Sequence, residues 1–285
     1  MTTSSERLER LLARDHPGVG DKGRTIAYLY GERRPRAVVL LHGLSASPLQ
    51  FDRYARELHQ RGHNVVVPRL PRHGHADRLS TALERLRPDE LYEATAEYVA
   101  LAAGLGDRVT IAGFSLGGLL AAWAGQHFAV DRAVAIAPFF GVAWIPGFAM
   151  SSVAELMLAV PNRFHWWNPV LRERQMPEHG YPRFSTHAVA HSFRVAARVM
   201  REAGQRPPRA GKMVLVTNAR EATVNNRAIR VLYRRWRALP SPVDLLVLRG
   251  LPLSHDVIEP LRRSDLAERA YPFLLNAIDP GQGQP

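Results

Sequence analysis

Short apolar runs alternate with longer stretches of helical periodicity through most of this chain, which confines it to folds built from βα units around a mostly parallel sheet. Residues 25–30 read as an early strand. Residues 37–41, Ala-Val-Val-Leu-Leu, are apolar without a break, the pattern of a strand covered on both faces. Residues 109–114 also read as a buried strand, and further strands are expected at 65–67, 133–137, 213–217 and 243–248. Ser47 is placed to cap a helix that begins with Pro48, turns Phe51, Tyr54, Ala55 and Leu58 to one side and stops at Gly62. Residues 69–79, with Pro71, Gly74 and two histidines, read as a long loop. Helices are expected at 89–103, at 116–127, after Asn226 and from about 259 to 278, with the last residues, 280–285, as a frayed tail.

From about 138 to 208 the alternation lapses. This stretch carries Trp144, Trp166, Trp167 and repeated prolines and shows no clean strand, so it is assigned to an inserted helical cap. The α/β core is then 1–137 together with 209–285.

Composition excludes several functions. There is no cysteine, hence no disulfide framework, no thiolate metal site and no cysteine nucleophile. The first 17 residues are polar and charged, unlike a secretory leader, and no run approaches the roughly 18 apolar residues of a membrane span. A soluble cytoplasmic protein is the expectation. The formal net charge of +12 invites a nucleic-acid partner, but only Lys22 and Lys212 are lysines and the arginines are dispersed along the chain. That dispersion argues against nucleic-acid binding. In the most basic stretch, 194–237, Arg227, Arg230, Arg234 and Arg237 recur at helical steps opposite Ile229, Leu232, Tyr233 and Trp236, which reads as a solvated helix face.

The sharpest local signal is Gly113-Phe114-Ser115-Leu116-Gly117-Gly118, a G-x-S-x-G that follows an apolar strand and opens a small-residue helix. A tight strand-to-helix turn projects the serine hydroxyl off the sheet edge, and the flanking glycines let neighbouring backbone pass without a Cβ. The helix start behind it offers free amides and a positive dipole end to an oxyanion. His42-Gly43-Leu44 follows the strand at 37–41, where a second oxyanion donor is needed. The amides of Leu44 and Leu116 are the expected pair.

The run VVLLHGLSASPLQFDRYARELHQRGHNVVVPRLPRHGH together with GFSLGG resembles the α/β-hydrolase superfamily, and within it the bacterial carboxylesterases and monoacylglycerol-lipase-like serine hydrolases. The resemblance runs through nearly the whole chain and implies an α/β-hydrolase fold with an inserted cap. It also implies a catalytic serine, acid and histidine in that order along the chain, with the acid after the sixth core strand and the histidine after the last. Ser115 is then the nucleophile and His255, just before the terminal helix, its base. Glu221 stands where the family pattern usually has aspartate, three residues before Val224, and either carboxylate can orient a histidine. Asn218 and Asp244 are alternatives, the latter at the wrong end of its strand. His42 reads as a structural hydrogen-bonder of the oxyanion loop, while His73 and His75 lie on a loop that approaches the site in the family.

The implied reaction is hydrolysis of a small-molecule ester through an acyl-enzyme, without metal or organic cofactor. Trp144, Phe148, Met150, Met157, Phe164, Trp166 and Trp167 point to an apolar cap and so to hydrophobic acyl groups. A thioesterase, an amidase, a carbon–carbon bond hydrolase or a non-catalytic ligand-binding homologue would carry the same motifs. Oligomeric state is left open.

Overall fold

The computed structural model describes residues 3–15 and 18–281, the side chains of Phe148 and Arg262 excepted. Residues 282–285 of the expected tail, and the Phe148 side chain expected in the cap, thus lie outside the described set.

The unbroken apolar runs become the middle of a seven-stranded sheet. Its strands are β1 (Ile26–Tyr28), β2 (Arg34–Leu41), β3 (Asn64–Val67), β4 (Gly106–Phe114), β5 (Arg132–Ile136), β8 (Lys212–Asn218) and β9 (Val243–Leu248), in the spatial order β1-β3-β2-β4-β5-β8-β9. All pairings are parallel except β1 with β3. Val38, Leu40, Ile111, Ala112, Val134 and Leu215 are wholly buried, as strands covered by helices on both faces require. The edge strands β1 and β9 are only partly covered. Eight helices accompany these strands among the described residues: α1 (Ser4–Ala13), α2 (Asp52–Gln60), α3 (Pro88–Leu105), α4 (Leu116–His127), α5 (Met150–Ala159), α6 (Thr186–Glu202), α7 (Asn226–Arg237) and α8 (Pro260–Ile278). On α7 Arg227, Arg230, Arg234 and Arg237 are exposed and Ile229, Leu232 and Trp236 are buried, as their spacing requires.

Two local expectations fail, each for a physical reason. Ser47 does not cap a helix with its side chain: Pro48–Phe51 is a 3-10 turn leading into α2, and the Ser47 hydroxyl donates to the Lys22 carbonyl at 2.8 Å. A hydroxyl drawn to that distant carbonyl leaves the helix start to the Ser47 backbone oxygen, which accepts from Gln50. The stretch 138–208 does contain strands, β6 (Phe164–Trp166) and β7 (Arg183–Ser185), paired antiparallel with Phe164 opposite Ser185. Three-residue strands separated by a long proline-containing loop have no local periodicity to betray them, because only the pairing itself makes them strands.

Helix α6 packs against α3 and α4 as well as α5, and Phe193 on it stacks on Phe139 at 5.4 Å. The loop between β6 and β7 reaches the segment that follows β2, where the Tyr181 amide donates to the Ser45 carbonyl at 2.8 Å. No described helix is long and apolar enough to cross a membrane.

Candidate functional site

At the end of β4 the chain must turn into α4 within one residue, and Ser115 makes that turn at φ 55° and ψ −112°. A residue with a Cβ avoids this region unless its surroundings hold it there. Three backbone bonds do so: the Ser115 amide donates to Ile136, and its carbonyl accepts from Leu119 and Phe139, at 2.9, 2.9 and 3.1 Å. Glycine is needed on both flanks because a Cβ on Gly113 would stand 2.2 Å from the Gly117 carbonyl oxygen, and one on Gly117 2.0 Å from that of Leu41. With its own amide engaged, Ser115 leaves the next one, on Leu116, as the first of α4, with no carbonyl one turn behind it to accept.

His255 comes from the loop after β9 and Glu221 from the loop after β8, and the three side chains form one hydrogen-bonded chain. Ser115 Oγ lies 2.9 Å from His255 Nε2, and His255 Nδ1 lies 2.9 Å from Glu221 Oε2. The hydroxyl donates to Nε2 and the Nδ1 proton to the carboxylate. The Glu221 side chain is fully buried, while that of His255 keeps 19% of its surface exposed, so only the serine end of the chain opens outward. Burial alone would raise the Glu221 pKa, but the hydrogen bond and charge of His255 outweigh it. With the Thr223 and Val224 amides, which donate to Oε1 at 2.6 and 3.3 Å, they hold the carboxyl below its ordinary value. Phe114 lies against the imidazole at 4.8 Å between ring centroids.

The alternatives for the acid are placed elsewhere. Asn218 is buried and points its amide at the His255 loop, donating to the carbonyls of Pro252 at 3.0 Å and Ser254 at 2.9 Å. It clamps the loop that carries the histidine. Asp244 lies at the start of β9, exposed and paired with Lys212 at 2.7 Å. Replacing Asn218 by alanine is expected to cost about 1–3 kcal/mol of stability, the penalty for stranding buried carbonyls. Denaturant titration measures it, and a variant as stable as the wild type would contradict the clamp.

The loop carrying Leu44 is braced from below. Gln50 Oε1 accepts the Gly43 amide at 2.9 Å; His42 donates from Nδ1 to the Gly43 carbonyl at 2.9 Å and accepts the Leu70 amide on Nε2 at 3.1 Å. Burial keeps His42 well below its ordinary pKa, so it is a neutral hydrogen-bonder within this loop. His73, held near pKa 4 mainly by burial, has Nε2 2.8 Å from the Leu44 carbonyl and Nδ1 2.8 Å from that of Pro71. His75 contributes through its backbone, donating to the Tyr181 hydroxyl at 2.9 Å. Among the described residues the Leu44 amide finds no protein acceptor.

The stretch between β6 and β7 closes over this arrangement. Trp167 Nε1 donates to Ser45 Oγ, and the Tyr181 amide to the Ser45 carbonyl, both at 2.8 Å. His179 Nε2 lies 2.9 Å from Glu259 Oε2, each side chain only 4% exposed. A cavity of about 110 Å³ remains beside Ser115, walled by Leu44, Phe114, Phe139, Trp167, Met176 and His255. A roomier groove of about 740 Å³ between α5, α6 and α7 shares no lining residue with it. The groove's size gives it no part in the site, since it carries none of the three hydrogen-bonded side chains. Of the expected cap aromatics, Trp167 reaches the site, whereas Trp144 is 79% exposed and lines the groove instead. Gln50, the Asn218 clamp and the Trp167 to Ser45 bond carry no motif that would announce them in the sequence. Among the described residues no group of three or more histidine and carboxylate side chains could hold a metal ion.

Comparison with known proteins agrees with this architecture. The sequence profile of the group described as the alpha/beta hydrolase family matches residues 38–276. Among solved structures, one of two metagenome-derived lipolytic enzymes superposes with a TM-score of 0.66 at 17% identity, over 90% of this chain and 98% of the other. A monoacylglycerol lipase from Paleococcus ferrophilus gives 0.65 at 16% identity, over 89% and 99%. A monoglyceride lipase from Saccharomyces cerevisiae gives 0.67 at 11% identity, over 90% and 91%. Identities this low establish the shared fold alone. No curated protein matches the sequence.

Proposed function

The chain belongs to the alpha/beta hydrolase family, and from that premise we propose that it hydrolyses carboxylic esters, with Ser115 as nucleophile, His255 as general base and Glu221 as the carboxylate that orients the base. The observation that carries this reading is the unbroken Ser115–His255–Glu221 chain, 2.9 Å at each link, on a strained turn facing a cavity. The steps follow from the geometry. His255 takes the Ser115 proton at Nε2 as the oxygen attacks the ester carbonyl, and Glu221 stabilises the imidazolium that results. The amides of Leu44 and Leu116 receive the negative oxygen of the tetrahedral intermediate. The imidazolium returns its proton to the departing alcohol, and water deprotonated by the same histidine then releases the acid from Ser115.

Residues 138–208 are proposed to act as the cap, with the part between β6 and β7 forming the roof over Ser115. The lining is mostly apolar and the cavity beside the serine is small, which favours hydrophobic acyl groups of modest length. Lipolytic enzymes share the fold, which is in keeping with such substrates.

A ladder of p-nitrophenyl esters from acetyl to palmitoyl tests the substrate class. The expected profile has its highest kcat/KM at short and medium chains and falls toward palmitoyl, because methylenes beyond the cavity find no apolar wall. Turnover of thioesters or amides but of no oxygen ester would move the function to those bonds. Binding of esters without turnover would make the protein a ligand-binding homologue.

A further inference from the structure

The opposite end of the sheet carries a second concave site that the hydrolytic reading does not use. In register, Arg36 on β2 lies opposite Arg108 on β4, Thr110 on β4 opposite Arg132 on β5, and Arg132 opposite Lys212 on β8. Residues paired in register share a face, as do residues two apart on one strand. Four adjacent strands therefore each present a cation to the same face near their amino ends. They border an open cavity of about 900 Å³ that is also lined by His63 and by Asp279 at the end of α8. From Arg108 to Ser115 the chain runs seven strand residues, about 23 Å, so the two sites are separate.

Carboxylates neutralise only part of this charge. Asp131 pairs with Arg36 at 3.1 Å and Asp244 with Lys212 at 2.7 Å, while Asp279 faces His63 at 3.1 Å and Arg61 at 3.5 Å. Arg132 is left with one hydrogen bond, a 3.3 Å donation to the uncharged Ala277 carbonyl. Burial first, and then the neighbouring charge of Arg36, pull it below the usual guanidinium range, against the opposing charges of Asp131, Asp244 and Asp279. Arg108 is exposed and has no partner among the described residues. From the strand spacing and rise, the Cα atoms of these two arginines are about 8 Å apart. Two guanidinium forks at that separation suit two linked phosphoryl groups, each taken in bidentate fashion. The lining contains no Phe, Tyr or Trp on which a nucleobase could stack, and its one imidazole, on His63, faces Asp279. Recognition would therefore rest on the phosphoryl groups.

We propose that this cavity binds a small molecule bearing a diphosphate, with Arg108 and Arg132 as its principal contacts. Isothermal titration of the intact protein with pyrophosphate at fixed ionic strength tests it. The expected result is saturable binding to one site that Arg108→Ala weakens about tenfold, the loss of one charge-assisted hydrogen-bonding group. Arg230→Ala, on the exposed face of α7, is expected to leave the affinity unchanged. Inorganic phosphate should bind at least about tenfold more weakly than pyrophosphate. Ser115→Ala should bind pyrophosphate as the wild type does, which separates this site from the hydrolytic one. Absence of saturable binding in the millimolar range, equal losses in the Arg108 and Arg230 variants, or equal affinity for phosphate and pyrophosphate would each overturn the proposal.

Discussion

Replacement of Ser115 by alanine is expected to lower kcat for ester hydrolysis on the order of a millionfold while leaving the fold intact. The magnitude is that of removing the nucleophile from a serine–histidine–carboxylate arrangement, where the remaining groups no longer act as a unit. Fold retention follows because the turn is held by backbone bonds to Ile136, Leu119 and Phe139, none of which involves the hydroxyl. Steady-state kinetics on a p-nitrophenyl ester, with a thermal melt of the same preparation, measures both. Residual activity above about one hundredth of wild type would mean that the hydrolysis seen belongs to another group or to a contaminant.

Glu221→Gln is expected to lower kcat by about four orders of magnitude, the loss seen when a triad carboxylate becomes an amide and the histidine is held in the wrong tautomer. The glutamine carbonyl oxygen can still accept from the Thr223 and Val224 amides, so the loop geometry should persist. Glu221→Asp keeps the charge but withdraws the carboxylate by about one bond length, about 1.5 Å, from a contact now at 2.9 Å, and an intermediate loss is expected. The same residue contributes a pH dependence to stability. Its folded pKa lies below the unfolded value of about 4.3, so its contribution is present above that value and is lost as pH falls through the lower folded one. Unchanged kinetics in Glu221→Gln would remove Glu221 from the mechanism.

How far these features could be read from sequence depends on whether their cause is local. Residues 37–41 announce a buried strand because burial on both faces leaves no polar position, residues 109–114 do so with Thr110 as their one polar side chain, and the structure covers both segments on both sides. The turn at Ser115 was readable because steric demand fixes glycine at 113 and 117, within reach of single backbone oxygens. Glu221 was picked out through family order along the chain, since a carboxylate in a loop has no periodicity of its own. The structure brings it to His255. Asn218, an alternative acid by sequence, instead grips the carbonyls of Pro252 and Ser254, a role set by where the chain returns 34 residues later. Ser47 departs from its expected capping role for a similar reason: its hydroxyl answers to Lys22, 25 residues away. The strands β6 and β7 were missed because their only signature is each other.

If Ser115 is a nucleophile activated by His255, it should react covalently with an organophosphorus probe at a rate that depends on the histidine. Reaction with a fluorophosphonate, followed by mass mapping of the labelled peptide, tests it in one experiment. The prediction is a single covalent adduct on Ser115, absent in Ser115→Ala and formed far more slowly in His255→Ala. A protein that stays unlabelled, or one labelled at the same rate with and without His255, would contradict it.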